Sequence, residues 1–377
     1  MLDRIEMDGP GTYQRTDTTD DAFLVIDPET EESIKVWRQE GVVRDTRTPE
    51  QYPTPEDIVA DLTEPGTWRE SLWHWPSWME YDAVNEELLA LVPGEDAGGV
   101  VRIGWVRGSW DEETGRVAWT DDPHPRNPMF TLDELRAVTG GTSQLFATVG
   151  GVDGVFEVAE GDWALTFEAT IGNPDGMAGC ALTGSPDRYS FDPAEHFSPD
   201  LNPLAPPLAG DDRVVPDGSG IGLYGNRDVD PRWVRNPWAR DRGERFWAYA
   251  RAKTINHEGD EFEFQPARPL SCLVTGDFRN VRTLPWRNQL IVPCFAFFHW
   301  VQPEWFGPST VGLVVDDGGA SQSNVNLWVA EDGVHLARTL GQPLIPKNTP
   351  PFNSVYLQPQ ANPVRLGERR LYWYRSG

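Results

Sequence analysis

The sequence predicts an all-β fold, a β-propeller, on three observations. The first is a recurring unit of strand, acidic tight turn and strand. It is legible at residues 106–119 (around Asp111-Glu112-Glu113-Thr114-Gly115), at 179–193 (around Ser185-Pro186-Asp187-Arg188) and at 326–335 (around Glu331-Asp332-Gly333). These units lie about 70 and then about 140 residues apart, which leaves room for one less legible copy, and such periods mark propellers and related arrays. The second is the even spread of 33 prolines and 36 glycines, which makes turns frequent and singles out no linker. The third is the lack of long helical periodicity, which argues against a doubly wound α/β fold.

The elements follow in order. Residues 22–27 and 33–37 are strands flanking Pro28-Glu29-Thr30-Glu31, a hairpin-like break. Residues 41–70 are polar and rich in proline, with one short helix expected at 54–62, where Thr54 caps and Pro55 fits the first helical position. Strands are expected at 79–81 and 87–92 around Asp82-Ala83-Val84-Asn85, then at 100–106 and 115–119, followed by a short helix at 131–137. A new unit reads as strands at 144–149, 155–158, 163–170 and 177–183. Residues 196–220 are irregular, and Asn202-Pro203-Leu204-Ala205-Pro206-Pro207 cannot be a central strand. Further strands are expected at 245–253, 270–275, 289–292, 295–300, 310–315, 326–330, 354–358 and 370–374. The whole reads as one domain over 1–377, with 1–40 as closing strands, 41–70 as an irregular lead-in and 70–377 as the blades.

Composition bounds the setting. Net charge is -27, and of 32 basic residues all but Lys35, Lys253 and Lys347 are arginine. An acidic, lysine-poor surface is what a protein working in molar salt would carry, since hydrated carboxylates stay soluble when screening is nearly complete. A GC-rich genome also favours arginine over lysine. The charge disfavours nucleic acid as a partner. No apolar run is long enough for a transmembrane helix. The N-terminus has no basic region followed by an apolar stretch, so the expectation is a cytoplasmic or particle-associated protein without a classical secretory signal. Cys180, Cys272 and Cys294 lack metal-type spacing and read as buried free thiols.

Residues 326–377 carry a resemblance to a family. Ala330-Glu331-Asp332-Gly333-Val334-His335, then Gly341-Gln342-Pro343-Leu344-Ile345-Pro346, then Leu366-Gly367-Glu368-Arg369-Arg370-Leu371-Tyr372-Trp373-Tyr374-Arg375-Ser376-Gly377 resemble the hairpin and final strand of the five-bladed β-propeller glycosidases, glycoside hydrolase families 32, 43 and relatives. Weaker echoes stand at 163–169 and 246–252. The resemblance implies a five-bladed propeller. It also fits a ring in which the strands at 22–27 and 33–37 complete a last blade that is short of strands, removing an exposed sheet edge.

The resemblance further implies carboxylates where blades begin, acting as nucleophile or base and as acid. On this chain Glu70, Asp230 and Glu168 are the candidates for catalysis, with departures from the family at Asn353 and Arg282. Trp73, His74 and Trp75 lie in the densest aromatic cluster, with Trp68 and Trp78. Indole stacks on the apolar face of a sugar and its N–H bonds a hydroxyl, but such tryptophans also pack between blades. Trp233 and Arg235, with Arg232, form a second aromatic and basic patch, and equally suit a solvated loop. No cofactor is called for. Calcium is the metal that Asp-rich propeller loops accept. Asp211-Asp212 and Asp316-Asp317 are the tight acidic pairs in suitable loops, but an acidic surface explains them as well, so no metal ligand is assigned.

Two functions follow. One is a glycoside hydrolase-like propeller acting on a glycan of arabinoside, xyloside or fructoside type, with a carbohydrate as its ligand. The other is a propeller without catalysis that binds a glycan or receptor, or a structural component of a larger assembly such as a halophilic virus particle.

Overall fold

The computed structural model describes residues 21–26, 33–38, 62–73, 78–111, 116–139, 149–169, 178–202, 204, 229–252, 270–283, 298–317, 324–330, 333, 336–338, 357–359, 362–366 and 369–376. These fall into five antiparallel sheets with few helices, distributed over two compact units. One comprises residues 1–128, 299–333 and 337–377, the other 129–298 and 334–336. The helix expected at 54–62, apart from Leu62, the strand at 289–292, and His74, Trp75, Asp211, Asp212 and Cys294 lie outside the described residues.

In the first unit the two ends of the chain share a sheet. Asp21–Ile26 lies between Ser33–Arg38 and the last strand, Arg369–Ser376, pairing from Asp21 opposite Arg375 to Ile26 opposite Arg370. The expected joining of the N-terminal strands to the C-terminal one is therefore present. A second sheet holds Ser71–Leu72, Trp78–Asp82, Glu87–Glu95, Val101–Asp111 and Arg116–Asp121. Glu87–Glu95 is buried along nearly its whole length, as a strand covered on both faces must be. Its core joins Leu62, Met79, Leu88, Ala90, Val92, Val106, Val117 and Trp119 to Val364. Asn362 ties the two sheets through its amide: Met79 N donates to Oδ1 at 2.8 Å, and Nδ2 donates to Met79 O at 2.6 Å. Trp68 packs flat on backbone, for a Cβ built at Gly94 or Gly104 would stand 2.8 Å from its ring. The third sheet is Phe298–Trp305, Val311–Asp317, Asn324–Ala330 and Leu336–Arg338. Its expected acidic turn passes through Gly333 at φ 77°, a conformation that glycine adopts without steric cost.

The second unit has two sheets. One orders Ala178–Ser185, Asp162–Ala169 and Val149–Ala159; the other orders Val229–Arg235, Phe246–Ala252, Leu270–Thr275 and Arg282–Thr283. Phe278 is the hub between them. It stacks on Phe156 at 5.2 Å and meets Phe246 at 4.8 Å and Trp233 edge-on at 5.1 Å. The helix expected at 131–137 forms over Leu132–Thr139. Thr131 accepts from Glu134 N through Oγ1 and donates its own N–H to Glu134 Oε2, the reciprocal box that starts helices.

Two expectations are corrected. Arg232, Trp233 and Arg235, which suited a solvated loop, lie in a strand, Val229–Arg235. Pro231 stands in the outermost strand of its sheet, the position where sheets accept proline. The chain after the turn at 185–190 does not return as a strand. Asp192 caps Ala194 N at 2.9 Å, and Pro193 opens a short helix, Pro193–His196.

The acidic turns themselves share one design. Asp82 accepts from Val84 N, Asn85 N and Asn85 Nδ2, and Asp277 accepts from Arg279 N, Asn280 N and Asn280 Nδ2. Asp187 does the same with Tyr189 N and Ser190 Oγ. A carboxylate that bonds the backbone two and three residues on closes the turn without help from the sheet.

Candidate functional site

Among the described residues of the second unit, the buried charge collects around strand Val149–Ala159. This strand reads Val149-Gly150-Gly151-Val152-Asp153-Gly154, and its pairing with Asp162–Ala169 slips three times. One slip lies between Val152, opposite Phe167, and Gly154, opposite Thr166, so Asp153 is the extra residue of a β-bulge. A bulge re-aims a side chain. Asp153 is buried, and Arg232 Nη1, from the neighbouring sheet, donates to its Oδ1 at 3.1 Å. Glu168 sits one register step away, 5% exposed, opposite Gly151 on one side and Gly179 on the other.

Cys180 completes the group, opposite Phe167 in the register. It is a free, buried thiol, as expected. Burial pushes its ionisation well above the ordinary thiol range, and the negative charges of Asp153 and Glu168 push it further. It therefore stays a neutral thiol at neutral pH and is no nucleophile. Two carboxylates on adjacent strands, one of them paired with a guanidinium, form the densest set of buried acid–base groups among the described residues of this unit. A pair of carboxylates is the equipment that acid–base chemistry on a glycosidic bond uses.

The candidates read from the sequence fall in different places. Glu168 is in this cluster. Asp230 is two residues before Arg232 in the same strand, opposite Arg251. Glu70 is exposed, just before Ser71–Leu72 in the first unit. Trp73, in the same unit, is half-buried and donates its backbone N–H to Pro93 O at 3.0 Å. Trp233 is 2% exposed and packs against Phe278, the position of a core side chain. Arg235 is exposed and lines a cavity of about 330 Å³ with Asn236, Asp241, Arg242 and Arg245. Sequence reasoning missed Asp153; the signal available was an acid set among Gly150, Gly151 and Gly154. Asp316 and Asp317 end a strand, and among the described residues no group of three or more His, Cys, Asp and Glu could hold a metal ion. No described helix is long and apolar enough to cross a membrane.

No family model and no curated protein matches the chain. Solved structures do. A family 117 glycoside hydrolase from Zobellia galactanivorans is 14% identical at a TM-score of 0.39, over 80% of this chain and 83% of that one. A glycosyl hydrolase from Bacteroides ovatus is 10% identical at a TM-score of 0.41, over 86% and 94%. A GH32 β-fructofuranosidase from Bombyx mori is 11% identical at a TM-score of 0.41, over 78% of this chain and 53% of that one. These likenesses, to structures described as glycoside hydrolases, are all at low identity.

Proposed function

We propose that the chain is a single-domain, five-bladed β-propeller that acts on a glycan by glycoside hydrolase-like chemistry. The observation that carries this reading is the buried pair Asp153 and Glu168 on adjacent strands, with Arg232 brought to Asp153 from the next sheet. Glu168 is assigned the role of proton donor, and Asp153 that of the second carboxylate, positioned by Arg232. Glu70 and Asp230 are further candidates for the catalytic set. Trp73, His74, Trp75 and Arg235 are assigned to the sugar, whereas Trp233 is given a packing role. Substrates of arabinoside, xyloside or fructoside type are the first to test. The five sheets and the pairing of the two chain ends support the closed five-bladed reading.

Aryl-arabinosides, -xylosides and -fructosides assayed in high salt decide it. Glu168→Gln and Asp153→Asn are expected to lower turnover about 10²–10⁴-fold, the scale of a lost acid or base, while near-UV circular dichroism stays that of the parent chain. Full turnover in both folded variants would overturn the assignment.

A second reading has its own observation. Glu168 is only 5% exposed, and Asp153 is neutralised by Arg232, which is also how a purely structural tie between two sheets looks. On that reading the chain is a glycan- or receptor-binding propeller, or part of a larger particle. The parent chain would then turn over none of these substrates, and Trp73→Ala would weaken glycan binding by about 1–3 kcal/mol, the scale of one large side chain.

A further inference from the structure

The cavity at the end of strand Val229–Arg235 stands out by its charge. In a chain of net charge -27, residues 235–245 read Arg235-Asn236-Pro237-Trp238-Ala239-Arg240-Asp241-Arg242-Gly243-Glu244-Arg245. Arg235, Arg242 and Arg245 line the cavity, against one lining carboxylate, Asp241. Elsewhere in the described chain arginine is usually matched. Arg69, Arg102, Arg107, Arg136, Arg232 and Arg279 each meet a carboxylate. The guanidinium groups of Arg235, Arg240 and Arg242 meet none among the described residues.

The loop that carries them is built rather than loose. Asn236 N donates to Arg245 O at 2.8 Å, closing its base. Asn236 Oδ1 accepts from Trp238 N at 3.0 Å, and Asp241 Oδ1 accepts from Gly243 N at 2.8 Å. Arg245 donates through Nη1 to Val158 O, anchoring the loop to the adjacent sheet. Gly276 seats it from below: a Cβ there would stand 2.3 Å from Arg242 O. Asp241, the one acid at the cavity, is engaged with its own backbone. Trp238, between the lining residues Pro237 and Ala239, is 41% exposed and is the only large aromatic side chain exposed among the described residues. Arg235 is three residues beyond Arg232, which puts the cavity about 10 Å along the strand from the Asp153 pair.

We infer that this cavity is a second site, which binds the anionic substituent of an acidic glycan, a carboxylate or a sulfate ester, with a sugar face laid on Trp238. Guanidinium forks match both anions in geometry, and indole matches the apolar face of a pyranose. The sugar half of this inference rests on the glycan-acting reading; the anion half does not.

Titration of the whole chain by calorimetry, at the lowest salt that keeps it folded, tests it. The probes are an oligogalacturonate, the same oligomer methyl-esterified, a sulfated oligosaccharide of equal length, and inorganic sulfate. At least one acidic oligomer is expected to bind tenfold or more tighter than the neutral ester and than inorganic sulfate, and the two acidic probes separate carboxylate from sulfate recognition. Arg242→Gln is expected to weaken that oligomer about tenfold without affecting the ester, and Trp238→Ala to reduce it to the affinity of inorganic sulfate. Equal binding of the ester and the acids, no binding of either acid, or acid binding indifferent to Arg242→Gln would overturn the inference. Inorganic sulfate binding as tightly as the oligomers would overturn its sugar half. These results are read as binding, whereas the hydrolytic assignment is read as turnover in Glu168→Gln, so either can fail while the other stands.

Discussion

Arg69 and Arg232 are both buried arginines with an acid partner, one in each unit, and they are built differently. Arg69, 1% exposed, donates to Leu62 O at 2.7 Å, to Asp121 Oδ1 at 2.7 Å and to Glu64. Its two acids reach water, with side chains 38% and 50% exposed. Arg232 instead meets Asp153, whose side chain is buried with it. Around Arg69 the charge is collected at the edge of an aliphatic core and its counter-ions stay solvated. Around Arg232 both charges have left water, beside a second buried carboxylate and a thiol. A buried ion pair is weak as a stabiliser, because desolvation offsets its attraction. A chain that keeps one beside another acid has a use for it or a constraint on it, and the Arg69 arrangement shows that the same chain can anchor an arginine without burying the acid.

The sharpest way to break this contrast is to remove each arginine in turn. Arg232→Met leaves Asp153 buried without its cation and is expected to cost about 3–5 kcal/mol. Arg69→Met leaves Asp121 and Glu64 in water and strands only the Leu62 carbonyl, for about 1–3 kcal/mol. Urea unfolding of the two variants side by side measures the gap; equal losses, or a greater one at Arg69, would mean that Asp153 finds water and is not a desolvated partner.

The same contrast extends to how the sheets of each unit are joined. In the first unit Asn362 joins two sheets by neutral bonds to Met79. In the second, Arg279 donates both Nη groups to Asp162 at 2.9 and 3.0 Å, with both side chains about one-third exposed. Asn362→Ala strands a part-buried N–H and C=O and should cost about 1–3 kcal/mol at any ionic strength. Arg279→Gln should cost at most about 1 kcal/mol, and less as salt rises. Chemical unfolding in about 0.1 M and in molar KCl separates them; a loss at Asn362→Ala that faded with salt would undo the distinction. Against this background the parent chain itself should gain stability with salt, since its charge of -27 repels itself at low ionic strength. A melting midpoint that stayed flat or fell from about 0.1 M to a few molar KCl would refute the salt-adapted reading of the composition.

The legible parts of the molecule were those whose signal is local. Strands with a continuous apolar run or a clean alternation, such as Leu270–Thr275 and Glu87–Glu95, stand where the residues put them. The pairing of the chain ends was legible because the final strand has its own signature and needed a partner. Val229–Arg235 was not, because Pro231 and a run of charges read as a loop until the strand is seen to be outermost in its sheet. Glu168 was legible as an acid within a strong strand. Asp153 was not: its burial follows from a bulge, and a bulge exists only once Val149–Ala159 is paired with Asp162–Ala169. Arg232 was legible as a cation but not as a partner, since the residue it meets is 79 positions away.

The smallest expected effect compares one turn made twice. At Asp82 the hydrogen bond from the Asn85 side chain, and then the backbone N–H groups of Val84 and Asn85, hold the carboxyl below its usual range. At Asp277 burial works against the charge, but the N–H of Arg279 and the side chain and N–H of Asn280 outweigh it, and this carboxyl too is held below its usual range. A carboxyl depressed in the folded state contributes stability that is present above its unfolded value, about 3.9, and lost as pH falls through the folded one. Both turns should therefore weaken below about pH 4 and leave stability at neutral pH untouched by titration. Asp82→Asn and Asp277→Asn should each make the parent chain slightly less stable near pH 7 and flatten the acid limb of its melting curve. The change should be larger at Asp277, where the turn also positions Arg279 against Asp162 and solvent screens the charge less. Melting midpoints at pH 7, 5, 4 and 3 for the two variants and the parent read this directly. An acid limb as steep in Asp277→Asn as in the parent would show that the turn carboxylate in the second unit does not carry the linkage, and would leave the pair Arg279–Asp162 to hold that junction by itself.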